Sequence, residues 1–241
     1  MNTTITKEWF KNWSNEYDKT LGKIARHHKL LELVVKQSKV RDGDKVLDIG
    51  VGTGLLSLKF LKAADCTITG IDSSAQMLAI CSQKVKKLKL SKKLACKQMD
   101  ASTLSFKPGS FDIAASTVTL HHVTNKQETI KKIYKALKPG GRFVIGDIDL
   151  DTTGKITDKN RLLRIMDYLK DELELALHDG GVTALSRMFD NGKKHLFNDG
   201  EYCVSFDQWA SFCRKAGFKI AEIKPLKEFT RFKVMTAVKP G

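Results

Sequence analysis

The segment Val46-Leu47-Asp48-Ile49-Gly50-Val51-Gly52-Thr53-Gly54 constrains the fold more than any other part of the chain. An apolar strand runs into glycines at every second position and then into a helix-forming stretch, which predicts strand, tight turn and helix in succession. Glycines are needed at such a turn when a ligand must touch the backbone, because a Cβ would stand in its way. A dinucleotide fingerprint puts its third glycine where Leu55 stands here. The third glycine comes one residue early, at Gly54, and an acid, Asp48, lies two positions before the first. The spacing argues against a pyrophosphate and for a ligand with an amino-acid tail.

The surrounding pattern alternates. It predicts strands over 45–49, 67–71, 94–98, 111–116 and 142–148, and helices over 53–63, 74–88 and 126–137. That is the pattern of an α/β fold: a doubly wound, Rossmann-like parallel sheet covered on both faces. Residues 7–40 read as helical, with Trp9, Phe10, Trp13 and Tyr17 and then Leu30, Leu31, Val34 and Val35 at helical spacing. Lys138-Pro139-Gly140-Gly141 is a helix stop and turn. Residues 151–200 interrupt the alternation with an amphipathic helix over 158–178 (Leu162, Leu163, Ile165, Met166, Leu169, Leu173, Leu177), a Gly180-Gly181 break, and a shorter helix near 182–190. Ser205 is a good N-cap for a helix that Gly217 ends. The last two strands, 218–225 and 230–238, have no helix between them and are expected to pair as an antiparallel hairpin, completing seven strands. With no repeats or low-complexity linker, residues 1–241 read as a single domain. Its parts are leading helices (1–44), a cofactor-binding core (45–150), an inserted helical cap (151–204), and a last helix and hairpin (205–241).

At 241 residues an α/β chain buries a full core without disulfides or metals. Cys66, Cys81, Cys96, Cys203 and Cys213 are odd in number and show no metal-ligand spacing, so the expectation is no metal, no disulfide framework and a cytoplasmic home. No apolar run approaches the roughly 18 residues of a membrane span. The 42 basic residues exceed the 27 acidic ones by 15, which raises a nucleic-acid partner. Only 8 of the 42 are Arg, the residue suited to bidentate phosphate and base recognition. The run Lys84, Lys86, Lys87, Lys89, Lys92, Lys93 and Lys97 reads as a solvated helix end or, alternatively, as an RNA-facing patch.

Two more strand tips carry acids. Asp72 closes the second strand 22 positions after Gly50, where a carboxylate can accept both hydroxyls of a ribose. Asp100, after the third strand, is placed to accept from an adenine amino group. Three adjacent tips therefore offer backbone, ribose and adenine contacts at the carboxyl edge of the sheet.

Asp48-x-Gly50-x-Gly52-x-Gly54, Asp72, Asp100-Ala101, Phe111-Asp112 with Leu120-His121-His122, and Leu137-Lys138-Pro139-Gly140-Gly141 resemble the ordered motifs of class I S-adenosylmethionine-dependent methyltransferases. The likeness is closest to the small-molecule and quinone-ring branch, and Trp13-Ser14-x-x-Tyr17-Asp18 resembles that branch's leading helix. The resemblance implies S-adenosyl-L-methionine as cofactor. It implies backbone contacts from Gly50 and Gly52 to the methionine part, Asp72 on the ribose, and Ser73 and Met77 beside the adenine. Asp100 and Ala101 would sit at the adenine edge, Thr117 and His122 at the methionine end, and Tyr17 over the site. Asp48 either touches the ligand or orients the glycine turn; Met77 and Tyr17 are alternatively core and helix packing.

Methyl transfer from a sulfonium is an in-line displacement, so the protein mainly aligns the reactants and excludes water. A base is needed only for a protonated acceptor, and no catalytic residue is assigned. His121 and His122 are candidates. Asp147, Asp149 and Asp151 alternate so as to face the pocket or solvent. His195, Asn198, Asp199, Glu201, Tyr202 and Cys203 in the cap are placed to select the acceptor, or form a turn and helix cap. A small-molecule acceptor is preferred over tRNA or rRNA, a non-catalytic regulator is the third reading, and oligomeric state stays open.

Overall fold

The computed structural model describes residues 25–197 and 202–241. Tyr17 and the cap residues Asn198, Asp199 and Glu201 lie outside these. A first helix, α1 (Ala25–Ser38), leads into β1 (Lys45–Ile49), α2 (Leu55–Ala63), β2 (Thr67–Asp72), α3 (Ala75–Lys87), β3 (Leu94–Gln98) and β4 (Phe111–Thr117). Then come α4 (Lys126–Ala136), β5 (Leu137–Ile148), α5 (Lys159–His195), α6 (Phe206–Lys215), β6 (Lys219–Pro225) and β7 (Phe232–Val238).

The seven strands lie in the order β3-β2-β1-β4-β5-β7-β6. Strands β1 to β5 are parallel, and β7 pairs antiparallel with both β5 and β6. The order reverses between β1 and β4, the crevice where doubly wound sheets bind ligands. Strands β1 and β3 occupy their predicted residues. β5 begins at Leu137, earlier than predicted, because Leu137 already pairs with Phe111 and an irregularity there absorbs the Pro-Gly-Gly turn. The hairpin is as expected, with its final strand placed inside the sheet.

Each face carries its own core. On one, α1, α2 and α3 pack Leu30, Val34, Phe60 and Cys81 against Val46, Ile68 and Ile113. On the other, α4 and α6 pack Ile130, Ile133 and Trp209 against Leu47, Ile49 and Phe143. Helix α6 starts with a capping box, in which Ser205 and Gln208 each satisfy the other's backbone amide.

Helix α5 changes direction at Gly181 (φ 63°, ψ −162°), at the predicted break, but resumes and runs on to His195. Of its predicted apolar stripe, Ile165 and Leu169 are buried with Leu150, Leu196 and Cys203, whereas Leu163, Met166 and Leu177 are about half exposed. Ion pairs fix its first half: Arg26 of α1 to Glu172, and Arg231 beside β7 to Asp167 and Asp171.

Candidate functional site

The turn after β1 is shaped by what surrounds each glycine. Gly50 (φ +76°) donates to the Ile71 carbonyl at 2.8 Å, and a Cβ there would stand 2.2 Å from the Thr119 methyl. Gly52 (φ +53°) is the opposite case, since the nearest heavy atom to an added Cβ is the Gly50 oxygen at 4.0 Å. One glycine is imposed by packing, and the other borders space that no described residue fills.

The tip of β2 closes one side of that space. The Asp72 carboxylate accepts from the Gly52 amide at 2.9 Å through Oδ2 and from the Ser74 amide at 2.8 Å through Oδ1. Burial raises its pKa above the usual carboxylate value, and the charge of Asp100 adds to the effect. Ser73 is exposed. Ser74 caps α3 by accepting from the Met77 amide, and the Met77 side chain is buried. The Met99 amide donates to the Asp72 carbonyl at 2.9 Å, tying the β3 tip to the β2 tip. Asp100 then accepts from the Ser102 amide and hydroxyl at 2.8 and 2.7 Å, capping the short turn Ala101–Thr103, whose Ala101 packs on the core. Asp48 lies beneath the turn, fully buried. It accepts from the Ser57 hydroxyl of α2 at 2.6 Å, and burial pushes its carboxyl up to about 7.

Thr117 ends β4, half-buried, and Val118 follows with φ 47°. A β-branched residue in the left-handed region is strained, and this one turns the chain so that Thr119 lies against Gly50. His121 and His122 come next, their rings 4.1 Å apart. His121 Nδ1 lies 2.7 Å from Asp147 Oδ1 at the end of β5, and both residues are buried. Facing a carboxylate acceptor, Nδ1 is the ring nitrogen that carries a proton. The alternating acids go to different partners: Asp147 to His121, Asp149 to the Phe206 amide and Lys233, and Asp151 to Thr153. Among the described residues, no three His, Cys, Asp or Glu side chains form a group fit for a metal ion.

Several features were not legible at sequence level. The His121–Asp147 pair joins residues 26 positions apart. Cys81 and Cys96, scattered in the sequence, bring their sulfurs to 3.1 Å. Lys126 is buried under the cap, with Nζ donating to the Val123 and His121 carbonyls at 2.6 and 3.3 Å. Tyr202 does reach this region: its amide donates to the His121 carbonyl at 3.0 Å, while Cys203 is fully buried.

A parallel sheet with glycine turn and two acidic strand tips at its switch point defines a nucleoside-cofactor site. A family model described as a methyltransferase domain matches residues 47–145, from β1 to within β5. The ubiquinone/menaquinone biosynthesis C-methyltransferase UbiE of Blochmanniella floridana is 30% identical over 152 residues, 61% of this chain and 60% of that one. The 27-O-demethylrifamycin SV methyltransferase of Amycolatopsis mediterranei is 25% identical over 194 residues, 80% of this chain and 60% of that one. An uncharacterized methyltransferase of Oceanobacillus iheyensis is 30% identical over 151 residues, 59% of this chain and 67% of that one. The chain spans about three fifths of the length of the first two.

Among solved structures, the Haloferax volcanii methyltransferase in complex with the Trm112 activator superposes with TM-score 0.69 and 17% identity, over 98% of this chain and 97% of that one. Phosphoethanolamine N-methyltransferase 2 of Haemonchus contortus, bound to S-adenosyl-L-methionine, gives 0.64 and 19% over 89% and 53%. The chain belongs to the class I S-adenosylmethionine-dependent methyltransferases. Among the described residues, no helix is long and apolar enough to cross a membrane.

Proposed function

We propose that the protein transfers the methyl group of S-adenosyl-L-methionine to a small-molecule acceptor held beneath α5. The observation that carries this reading is the open space at Gly52, bordered by the acidic tips of β2 and β3. A side chain at position 52 would fill it, and the donor set around it suits a nucleoside with an amino-acid tail.

In this reading Gly50 and Gly52 face the methionine part with Thr117 and His122, Asp72 holds the ribose, and Ser73, Met77, Asp100 and Ala101 surround the adenine. Tyr17, on the leading segment, covers the site, and Asp48 supports the turn from below. An ionised carboxylate offers about four lone-pair sites, and those that Asp72 does not spend on the Gly52, Ser73 and Ser74 amides remain for the ribose. The bound cofactor supplies an electrophilic methyl group for in-line displacement. The chain's own contribution is to align the acceptor and exclude water. Asp147 fixes the His121 ring, which keeps its Nδ1 proton directed at the carboxylate.

The site's position also favours a small acceptor over RNA. The Lys93 carbonyl accepts from the Ile68 amide at the start of β2, and its ammonium pairs with Asp65. Lys93 therefore sits toward the amino ends of the strands, opposite Asp72, while Lys84 spends its ammonium on the Thr53 carbonyl. Calorimetric titration with S-adenosylhomocysteine, NAD and bulk tRNA at low salt tests the reading. Binding of the first alone supports it. Tighter binding of NAD overturns the cofactor assignment, and salt-sensitive tRNA binding moves the acceptor to RNA.

A further inference from the structure

A cavity of about 650 Å³ opens between the first turn of α4, the loop Thr152–Ile156 after β5, Arg161 of α5 and the segment before α6. Two buried cations line it, Lys126 (5% exposed) and Arg161 (3%). The Arg161 guanidinium is clamped by Nε to the Thr152 carbonyl at 2.8 Å and Nη2 to the Leu196 carbonyl at 2.9 Å. Its Nη1 is buried without a hydrogen-bond partner. The Lys126 ammonium bonds only carbonyls and lies 5.8 and 5.6 Å from the ring centroids of Tyr202 and Trp209.

Buried charges are normally paired, because an isolated ion in a low-dielectric site is costly. Neither cation has a carboxylate within ion-pair distance among the described residues. The nearby acids bond other groups: Asp147 Oδ1 pairs with His121 while its charge reaches Lys126 only through space, Asp151 bonds Thr153, and Asp158 bonds the Arg161 backbone amide. Burial brings the Lys126 ammonium down to about 8, against the opposing pull of Cys203 and Asp147. The first turn of α4 adds the positive end of a helix dipole to the same cavity. Tyr202, Val204, Phe212 and Ile156 supply the apolar wall.

We infer that this cavity binds a small molecule bearing a carboxylate or phosphate group, with the anionic head drawn to Lys126 and Arg161 and the apolar body against Tyr202 and Phe212. Anion binding stands on this geometry alone. That the bound molecule is the methyl acceptor rests on the function proposed above.

The test uses the full chain, with inorganic phosphate and benzoate as probes that separate the two head-group chemistries, read by calorimetry alongside S-adenosylhomocysteine. At least one probe is expected to bind, and Arg161→Gln and Lys126→Met are each expected to weaken it tenfold or more. Because either change can unsettle the core, Ile156→Glu provides a second variant. Ile156 is half exposed, and an acid there sets a negative charge at the rim without removing a buried contact. It too should weaken the probe several-fold, with S-adenosylhomocysteine affinity within twofold of wild type. Absence of binding by both probes, or equal binding by wild type and Ile156→Glu, overturns the anion site. Loss of S-adenosylhomocysteine binding by the wild type would instead defeat the proposed function.

Discussion

Asp72 and Gly52 are joined by a 2.9 Å hydrogen bond from the glycine amide to the carboxylate, so the acid that closes β2 also sets the loop that closes β1. Asp72→Ala therefore removes a ribose acceptor and loosens the turn together. Affinity for S-adenosylhomocysteine is expected to fall by about 2–3 kcal/mol, roughly 30- to 150-fold, by calorimetry. Unchanged affinity would place the ribose elsewhere.

Identical substitutions at two glycines of one turn should fail differently. Gly50→Ala drives a methyl group into Thr119 in a left-handed conformation, costing about 2–3 kcal/mol and lowering Tm by roughly 5–10 °C. Gly52→Ala meets no atom of the described residues nearer than 4.0 Å, so it should cost about 1–2 kcal/mol of backbone strain and weaken S-adenosylhomocysteine at least tenfold. Thermal unfolding and titration of both variants check the contrast. If Gly52→Ala binds normally, the cradle has been misplaced.

Two buried groups should pull stability in opposite directions with pH. Asp48, raised to about 7, holds a proton in the folded chain that the unfolded chain loses near pH 4, so its contribution falls as pH rises through that window. His27, lowered to about 4 mainly by burial, is neutral when folded while the unfolded chain is protonated below about 6.5, so its contribution rises with pH. Between about pH 4 and 6.5 the slopes oppose each other, each up to about 1.4 kcal/mol per pH unit. Relative to wild type, Asp48→Asn should make stability climb more steeply with pH, and His27→Gln should make it fall. Urea midpoints at pH 4.5, 5.5 and 6.5 measure this; parallel curves for all three proteins would contradict it.

Cys96, half-buried on β3, should be the first thiol to react with iodoacetamide. The neighbouring Cys81 thiol stabilises its thiolate and lowers its pKa, while Cys81 itself is raised. Peptide mass mapping over time is expected to show Cys96 modified ahead of Cys66, Cys81, Cys203 and Cys213, and Cys81→Ala is expected to slow it several-fold. Faster modification of Cys213, which burial pushes up to about 12, would refute the ordering.

Local signals made much of this molecule legible. Strand alternation, the Ser205 cap and the glycine spacing each act within a few residues, and the observed β1, β3 and α6 follow them closely. Contacts set by sheet register were not. His121 meets Asp147 only because β4 and β5 lie in parallel with Thr117 opposite Gly146. Arg161 meets Thr152 and Leu196 only when α5 folds over the sheet. The apolar stripe of α5 misled for a related reason: helical spacing marks one face, but the face that is covered depends on which neighbours arrive, and here Leu163 and Met166 are left outside.

The ion pairs of α5 also bear on how the chain assembles. Arg26 reaches Glu172 across 146 positions, its guanidinium lies 4.4 Å from the Phe232 ring centroid, and Arg231 holds Asp167 and Asp171. Arg231 and Phe232 stand at the start of β7, the strand that also pairs with β5. While the ribosome is still working upstream of β7, the nascent sheet carries an open edge and α5 lacks two of its anchors. The sheet is therefore closed, and α5 fully anchored, only once β7 has been made and has entered between β5 and β6.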